Sequence, residues 1–215
     1  IMTGGSGLYV NAVLNGFDPL PFSPETREAL NMQFQNEGLD PLIAQLEKLD
    51  PEFASQMDNS NSQRVIRALE VCLVSNQPYS SLRSQSRKTR PFDMINFGLD
   101  APRPWIYERI NTRVDIMMRE GLLEEVKQLE SFKGLNSLKT VGYSELFAHL
   151  EGSCSLDEAV EQIKMNTRRF SKRQLTWFRN KLEVQWLDAI DISQNMQSGI
   201  DQIQLQIEAI QAQQE

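Results

Sequence analysis

Four stretches of this 215-residue chain combine residue types and spacings that can do chemistry. Gly4-Gly5-Ser6-Gly7 stands where a short apolar piece runs into a helical pattern. Its backbone N–H groups and the Ser6 hydroxyl either face a ligand or simply form a tight turn. Gln63-Arg64-Val65-Ile66-Arg67 sets two guanidinium groups three residues apart on one helix face, with an amide beside them. That arrangement either grips phosphates while the amide reads a base or sugar, or is a solvated face. Arg109 and Arg113, four apart, either clamp a diphosphate with two planar forks or pair with Glu108, Asp115 or Glu120. From Thr167 to Arg179 cations alternate with aromatics. Arg169, Lys172, Arg173 and Thr176 define a polar face, and Phe170, Trp177 and Phe178 are expected to bury against the body. Seven basic residues and no acid lie between Lys164 and Lys181, and so much unrelieved repulsion on one helix points to an anion as what that face meets.

These groups need elements to hold them. Ile1 to Thr3 reads as the end of a strand, and Leu8, Tyr9, Ala12 and Val13 as the apolar pattern of a first helix. From Ser23 to Asn76 the pattern is helical, with three starts of one kind: Ser23-Pro24, Asp40-Pro41 and Asp50-Pro51 each put an N-cap side chain before a proline at the first helical position. Gly38 is a stop, and the last helix of the set, Ser62 to Val74, turns Ile66, Leu69 and Leu73 inward. Met94 to Leu99 is the best internal strand. Helices follow from Pro104 to Arg119, from Leu122 to Phe132 after a break at Gly121, and from Val141 to Leu150. Ser155 and Glu158 form a capping box that opens a helix reaching Arg179. Val184 to Asp188 is a second strand candidate. The tail spaces Met196, Ile200, Ile203, Ile207 and Ile210 as an amphipathic, glutamine-rich helix.

Composition narrows the classes. Hydrophobic residues at 40% and charged residues at 24% suit a globular protein, and no apolar run reaches the roughly 20 residues of a membrane span. The start has no basic or apolar leader, so a cytoplasmic location is expected. Cys72 and Cys154 cannot form a disulfide framework or supply the usual four ligands of a structural zinc site, and with His149 the only histidine neither zinc chemistry nor a Ser-His-Asp triad is expected. The net charge of −7 argues against nucleic acid taken as an average. The charge is nevertheless concentrated: Arg83, Arg87, Lys88 and Arg90 make a second acid-free basic stretch. An acidic body with two cationic surfaces suits a local site for a polyanion.

Taken in order, these segments resemble the tRNA dimethylallyltransferase family, also called tRNA isopentenyltransferases. Gly4 to Tyr9 resembles its G-G-T-G-L-Y, Gln63 to Glu70 its Q-R-x-x-R-A-L-E, and Tyr107 to Asp115 its helix of the form R-I-x-x-R-V-D. Thr140-Val141-Gly142-Tyr143 is similar to its V-G-Y turn, and Lys172 to Trp177 to K-R-Q-x-T-W. The resemblance implies transfer of a prenyl group from dimethylallyl diphosphate to the exocyclic amine of the adenine beside the tRNA anticodon. It also implies an α/β fold: a P-loop NTPase-like parallel sheet core from 1–20 and 77–190, truncated here so that the chain is mostly α. An all-α insertion at 21–76 would grip the anticodon arm, and 191–215 would form the C-terminal helix. Ser6, Arg27, Gln63, Arg64, Val65, Ile66, Arg67, Lys139, Thr140, Val141, Gly142, Tyr143 and Ser144 fall where the family touches tRNA. Arg113, with Arg109 near it, matches the helix that stabilises the departing diphosphate, and Lys172 and Arg173 contact either diphosphate or tRNA phosphates. Ser144 departs from the basic residue usual there. The family's phosphate loop and general-base aspartate lie upstream of the first motif, so the chain reads as a fragment, inactive alone. The family's Mg2+ is expected on that upstream part, with no metal ligand here, and a monomer is expected. Two other readings compete. An isopentenyltransferase acting on free adenine nucleotides would not need the Gln63 to Arg67 motif or the insertion, and the other reading is an RNA-binding helical module whose chemistry is absent from this fragment.

Overall fold

The computed structural model describes residues 1–58, 60–83 and 89–212. It is mostly helical, with one parallel pair of strands, and divides into a helical unit, Leu8–Phe92, and a second unit formed by Ile1–Gly7 with Asp93–Glu215.

The helical unit contains most of α1 (Gly7–Asn15), then α2 (Pro24–Glu37), α3 (Asp40–Leu49), α4 (Pro51–Gln56), α5 (Ser62–Ser75) and α6 (Tyr79–Leu82). Local chemistry fixes most of these ends. The Ser23 hydroxyl accepts from Thr26 N–H and the Asp50 carboxylate from Phe53 N–H, each before a proline whose missing N–H costs nothing at the first turn. Gly38 ends α2 at φ +84°, a conformation open to a residue without Cβ. The expected cap at Asp40 is not formed: α3 starts on Asp40 itself, Leu39 precedes it without a side-chain bond, and Asp40 only places an acid in the first turn. Leu30, Leu42, Leu46, Phe53, Val65, Ile66 and Leu69 form the core. Leu73 is 39% exposed, contrary to the expected inner face, because the buried stripe of α5 runs through Val65, Ile66, Leu69 and Cys72. Buried Asp50 also accepts from the Ser80 N–H and hydroxyl, so one carboxylate caps α4 and fastens α6. Of the basic stretch here, Arg83 lies over Phe53 and Tyr79, while Arg87 and Lys88 lie outside the described residues.

The second unit runs β1 (Phe97–Asp100), α7 (Arg103–Arg119), α8 (Leu122–Gln128), two 3-10 turns (Glu130–Phe132 and Asn136–Leu138), α9 (Tyr143–Leu150), α10 (Leu156–Lys181), β2 (Gln185–Asp188), α11 (Ala189–Gln194) and α12 (Met196–Gln211). Val114, Leu122, Val126, Leu146, Phe147, Ala159 and Ile163 pack its core. Strand β1 pairs with β2 in parallel, Phe97 opposite Gln185 through Asp100 opposite Asp188, which moves the first strand toward Asp100 from the expected Met94 to Leu99. Gly98 admits the Trp186 ring beside it, where a Cβ would collide. Ile1 to Thr3 is not a strand, since no ladder partner lies beside it among the described residues. The α8 helix stops at Gln128 rather than Phe132 and continues as a 3-10 turn; α11 was not foreseen from the pattern, and is capped by Asp188. The Ser155 capping box opens α10 as expected. No described helix is long and apolar enough to cross a membrane.

Candidate functional site

Helices α7 and α10 lie antiparallel, joined by Lys164 to Asp115 at 2.8 Å, by Arg168 to Asn111 at 2.6 Å and by Arg168 over the Tyr107 ring. Tyr107, Asn111 and Asp115 are spaced by four and so mark the α7 face that meets α10. At about 100° per residue, Arg109 and Arg113 stand off that line, Arg113 on the side of Ile106. Both are exposed. Arg109 stacks on Trp105, with its guanidinium carbon 4.8 Å from the ring centre, and Arg113 has no hydrogen bond or ion pair among the described residues. The carboxylates that could have neutralised them do not. Asp115 is engaged with Lys164, whose ammonium is held above its usual range by hydrogen bonds from it to Asp115 and then Glu161.

Along α10, Lys172 and Arg173 line an open groove with Arg169, Thr176 and Trp177. Of the basic run, Lys164 and Arg179 have carboxylate partners, Arg179 on Asp100, and Arg168 has Asn111. Arg169, Lys172, Arg173 and Lys181 have no carboxylate partner among the described residues, so the expected cationic face exists. Phe170 does not bury as expected: it is 51% exposed and lies beneath the Arg173 guanidinium, because at about 200° from Arg168 it stands off the face that meets α7. Trp177 and Phe178 are half-buried and meet edge to face. Lys172 also lines a cleft with Arg103, Ile106 and Tyr107 of α7.

The Gly4-Gly5-Ser6-Gly7 segment belongs to α10. Gln174 Nε2 donates to the Gly5 carbonyl at 2.7 Å, and a Cβ on Gly5 would overlap the Gln174 amide. A Cβ on Gly7 would stand 2.6 Å from the Trp177 ring. Glycine is required here for close approach to that helix as well as for a turn. The first and last motifs thus meet in space, 169 residues apart, and leave Ser6 exposed at the start of α1.

The 139–144 turn is pinned from beneath. Gly142 has φ +104° and is buried, and its N–H donates to Glu145 at 2.8 Å. Glu145, only 6% exposed, also accepts from Asn166 Nδ2 of α10 at 2.7 Å. The Tyr143 hydroxyl donates to Glu125, a bond that raises its pKa. Lys139, Thr140, Val141 and Ser144 face solvent. Sequence reading missed Glu145; its position three residues after Gly142 was the available capping signal.

In the helical unit, Gln63 and Arg64 are exposed at the start of α5, whereas Val65 and Ile66 are fully buried core residues. Arg67 and Arg27 converge on Glu70, whose side chain is inaccessible. Arg67 reaches it at 2.8 Å and also donates to the Pro21 and Leu20 carbonyls, while Arg27 Nη2 lies 2.5 Å from the same Oε2. Burial alone would push the Glu70 carboxyl up; hydrogen bonds from Arg67, Arg27 and Ser23 N–H outweigh it and hold the pKa below the usual carboxylate range. His149 Nδ1 lies 3.0 Å from the Cys154 carbonyl oxygen, a local contact. Among the described residues no three of His, Cys, Asp and Glu converge on a point where a metal ion would sit.

The model of the IPP transferase family matches residues 1–181. A tRNA dimethylallyltransferase 2 of Parabacteroides distasonis is 48% identical over 187 residues, which are 86% of this chain and 62% of that protein. The chain therefore spans less than two thirds of that curated relative. The tRNA delta(2)-isopentenylpyrophosphate transferase structure from Staphylococcus epidermidis aligns over 94% of this chain and 67% of its own, at 31% identity and a TM-score of 0.58. A eukaryotic dimethylallyltransferase, captured in crystallographic snapshots acting on tRNA, shares the fold at a TM-score of 0.67 and 21% identity, over 92% of this chain and 54% of its own. With the glycine segment seated on α10, the pinned turn and the exposed arginines of α7 all falling inside the matched span, this chain belongs to the IPP transferase family.

Proposed function

We propose that the chain is the larger part of a tRNA dimethylallyltransferase, which transfers a dimethylallyl group from dimethylallyl diphosphate to the exocyclic amine of the adenine beside the anticodon. The observation that carries this reading is a set of cations without acidic partners among the described residues, Arg109 and Arg113 on α7 and Lys172 and Arg173 on α10, in a protein of net charge −7. As the adenine nitrogen bonds to the prenyl carbon and gives up a proton to a general base, the carbon–oxygen bond breaks and negative charge builds on the departing diphosphate. A guanidinium with no carboxylate of its own is available to that charge, and Arg113 takes this role with Arg109 beside it. Lys172 and Arg173 hold diphosphate or tRNA phosphates along the α10 groove.

The tRNA is met by the exposed positions Ser6, Gln63, Arg64, Lys139, Thr140, Val141 and Ser144, with the half-buried Tyr143 among them. Arg27 and Arg67 share their charge with Glu70 and contribute less, and Val65, Ile66 and Gly142 act by holding backbone. A stem and an unstacked loop suit such a combination of cations and hydrogen-bonding groups. The parallel β1–β2 pair supports a P-loop NTPase-like sheet as the rest of the core. Mg2+ is part of the proposed reaction, but among the described residues no three His, Cys, Asp or Glu side chains gather to hold it, so no step is derived through it.

The test is to give the complete protein labelled dimethylallyl diphosphate with either unmodified tRNA or AMP. Label should enter tRNA far faster than AMP; AMP turnover rivalling tRNA would overturn the reading in favour of a free-nucleotide enzyme.

A further inference from the structure

We propose that Glu145 is a positioning residue that holds the 139–144 turn and the Arg169 guanidinium on one anion-facing surface; this deepens, and rests on, the tRNA reading above. Glu145 lies at the third position of α9 and is nearly inaccessible. Capping α9 requires one of its oxygens, the one that accepts from Gly142 N–H at 2.8 Å. The other goes to Asn166, 21 residues away on α10, at 2.7 Å. An ionised carboxylate only accepts hydrogen bonds, so it dictates which end of the Asn166 amide faces it. With its nitrogen turned to Glu145, Asn166 leaves Oδ1 to accept from Arg169 Nη1, at a long 3.4 Å. Three bonds thus run from the turn to the cationic face of α10 with the donor direction fixed at each. Thr140, Ser144 and Arg169 are exposed around the buried Glu145.

Glutamine at 145 would break the direction without emptying the space. Its NH2 would face either the Gly142 N–H or the Asn166 NH2, and reversing the Asn166 amide would turn a donor toward Arg169. A carboxylate at 166 would repair the fault. The amide oxygen at 145 would then accept from Gly142 N–H and the amide NH2 would donate to one oxygen of that carboxylate, leaving the second to accept from Arg169.

The experiment compares complete wild-type protein, Glu145→Gln and the double variant Glu145→Gln/Asn166→Asp in steady-state transfer to unmodified tRNA, with melting temperature recorded for each. For Glu145→Gln the KM for tRNA should rise about tenfold, as for loss of one charge-assisted contact, while kcat and the KM for dimethylallyl diphosphate change by less than about twofold. The double variant should regain the KM for tRNA. Equal losses in kcat and in both KM values, or a double variant that regains its melting temperature but not its KM for tRNA, would overturn the proposal and leave the function standing. A wild-type protein that labels no tRNA would overturn the functional reading, and this proposal with it.

Discussion

Arginine serves opposite ends in the two units. In the helical unit Arg27 and Arg67 close on one inaccessible carboxylate, Glu70, and two of their donor groups go to it within 2.8 Å. In the second unit Arg109 and Arg113 are exposed and have no carboxylate partner among the described residues, and Lys172 and Arg173 border an open groove. The first arrangement converts charge into stability, because a buried carboxylate is tolerable only when its hydrogen bonds are complete. The second keeps charge available for a ligand. A count of basic residues cannot separate the two, since the acid that claims Arg27 lies 43 residues further along the chain.

The comparison breaks most visibly at Glu70. Glu70→Ala leaves two guanidiniums facing a partly buried space with no anion, and should cost about 3–5 kcal/mol in urea denaturation of the chain. A cost under about 1 kcal/mol, typical of exposed pairs, would mean that the cluster is ornamental. The same residue sets a pH dependence. Its folded pKa lies below the unfolded value of about 4.3, so its contribution is complete above that pH and is lost as pH falls through the lower folded value. Glu70→Gln should therefore flatten the acid limb of the stability curve. A limb of unchanged steepness would assign that loss to other carboxylates.

The unpartnered arginines should behave in the opposite way. Arg113→Ala in the complete protein should leave the melting temperature unchanged and lower kcat about 10²–10³-fold, with tRNA affinity retained, as for loss of a preorganised group at developing charge. If the variant lost only tRNA affinity, Arg113 would belong to tRNA binding and the division of roles would be wrong.

Much of this arrangement was legible in the residues, and the rest was not for a physical reason. Caps at Ser23, Asp50 and Ser155 and the stop at Gly38 are local chemistry, and they stand where the sequence puts them. The cationic face of α10 followed from spacing alone. Asp40 failed as a cap because a helix start depends on which residue first leaves the extended conformation, and three similar Asp/Ser-Pro steps did not do so alike. Long-range pairings were invisible: the Gln174 bond to the Gly5 carbonyl, the claim of Glu70 on Arg27 and Arg67, and the link from Gly142 through Glu145 to Asn166. Each is a hydrogen bond between segments whose separation carries no periodic signal.

The most direct test of the contrast between paired and free arginines is the salt dependence of tRNA binding by the complete protein, with Arg64→Ala set beside Arg27→Ala. Arg64, exposed and in no salt bridge among the described residues, should on removal weaken binding by about 1–3 kcal/mol and reduce the slope of log K against log salt by about one phosphate contact. Arg27→Ala should leave that slope nearly unchanged while lowering stability. An equal drop in slope for both variants would contradict the account, because it would show that an arginine held by a buried carboxylate still counts as a free charge toward the RNA.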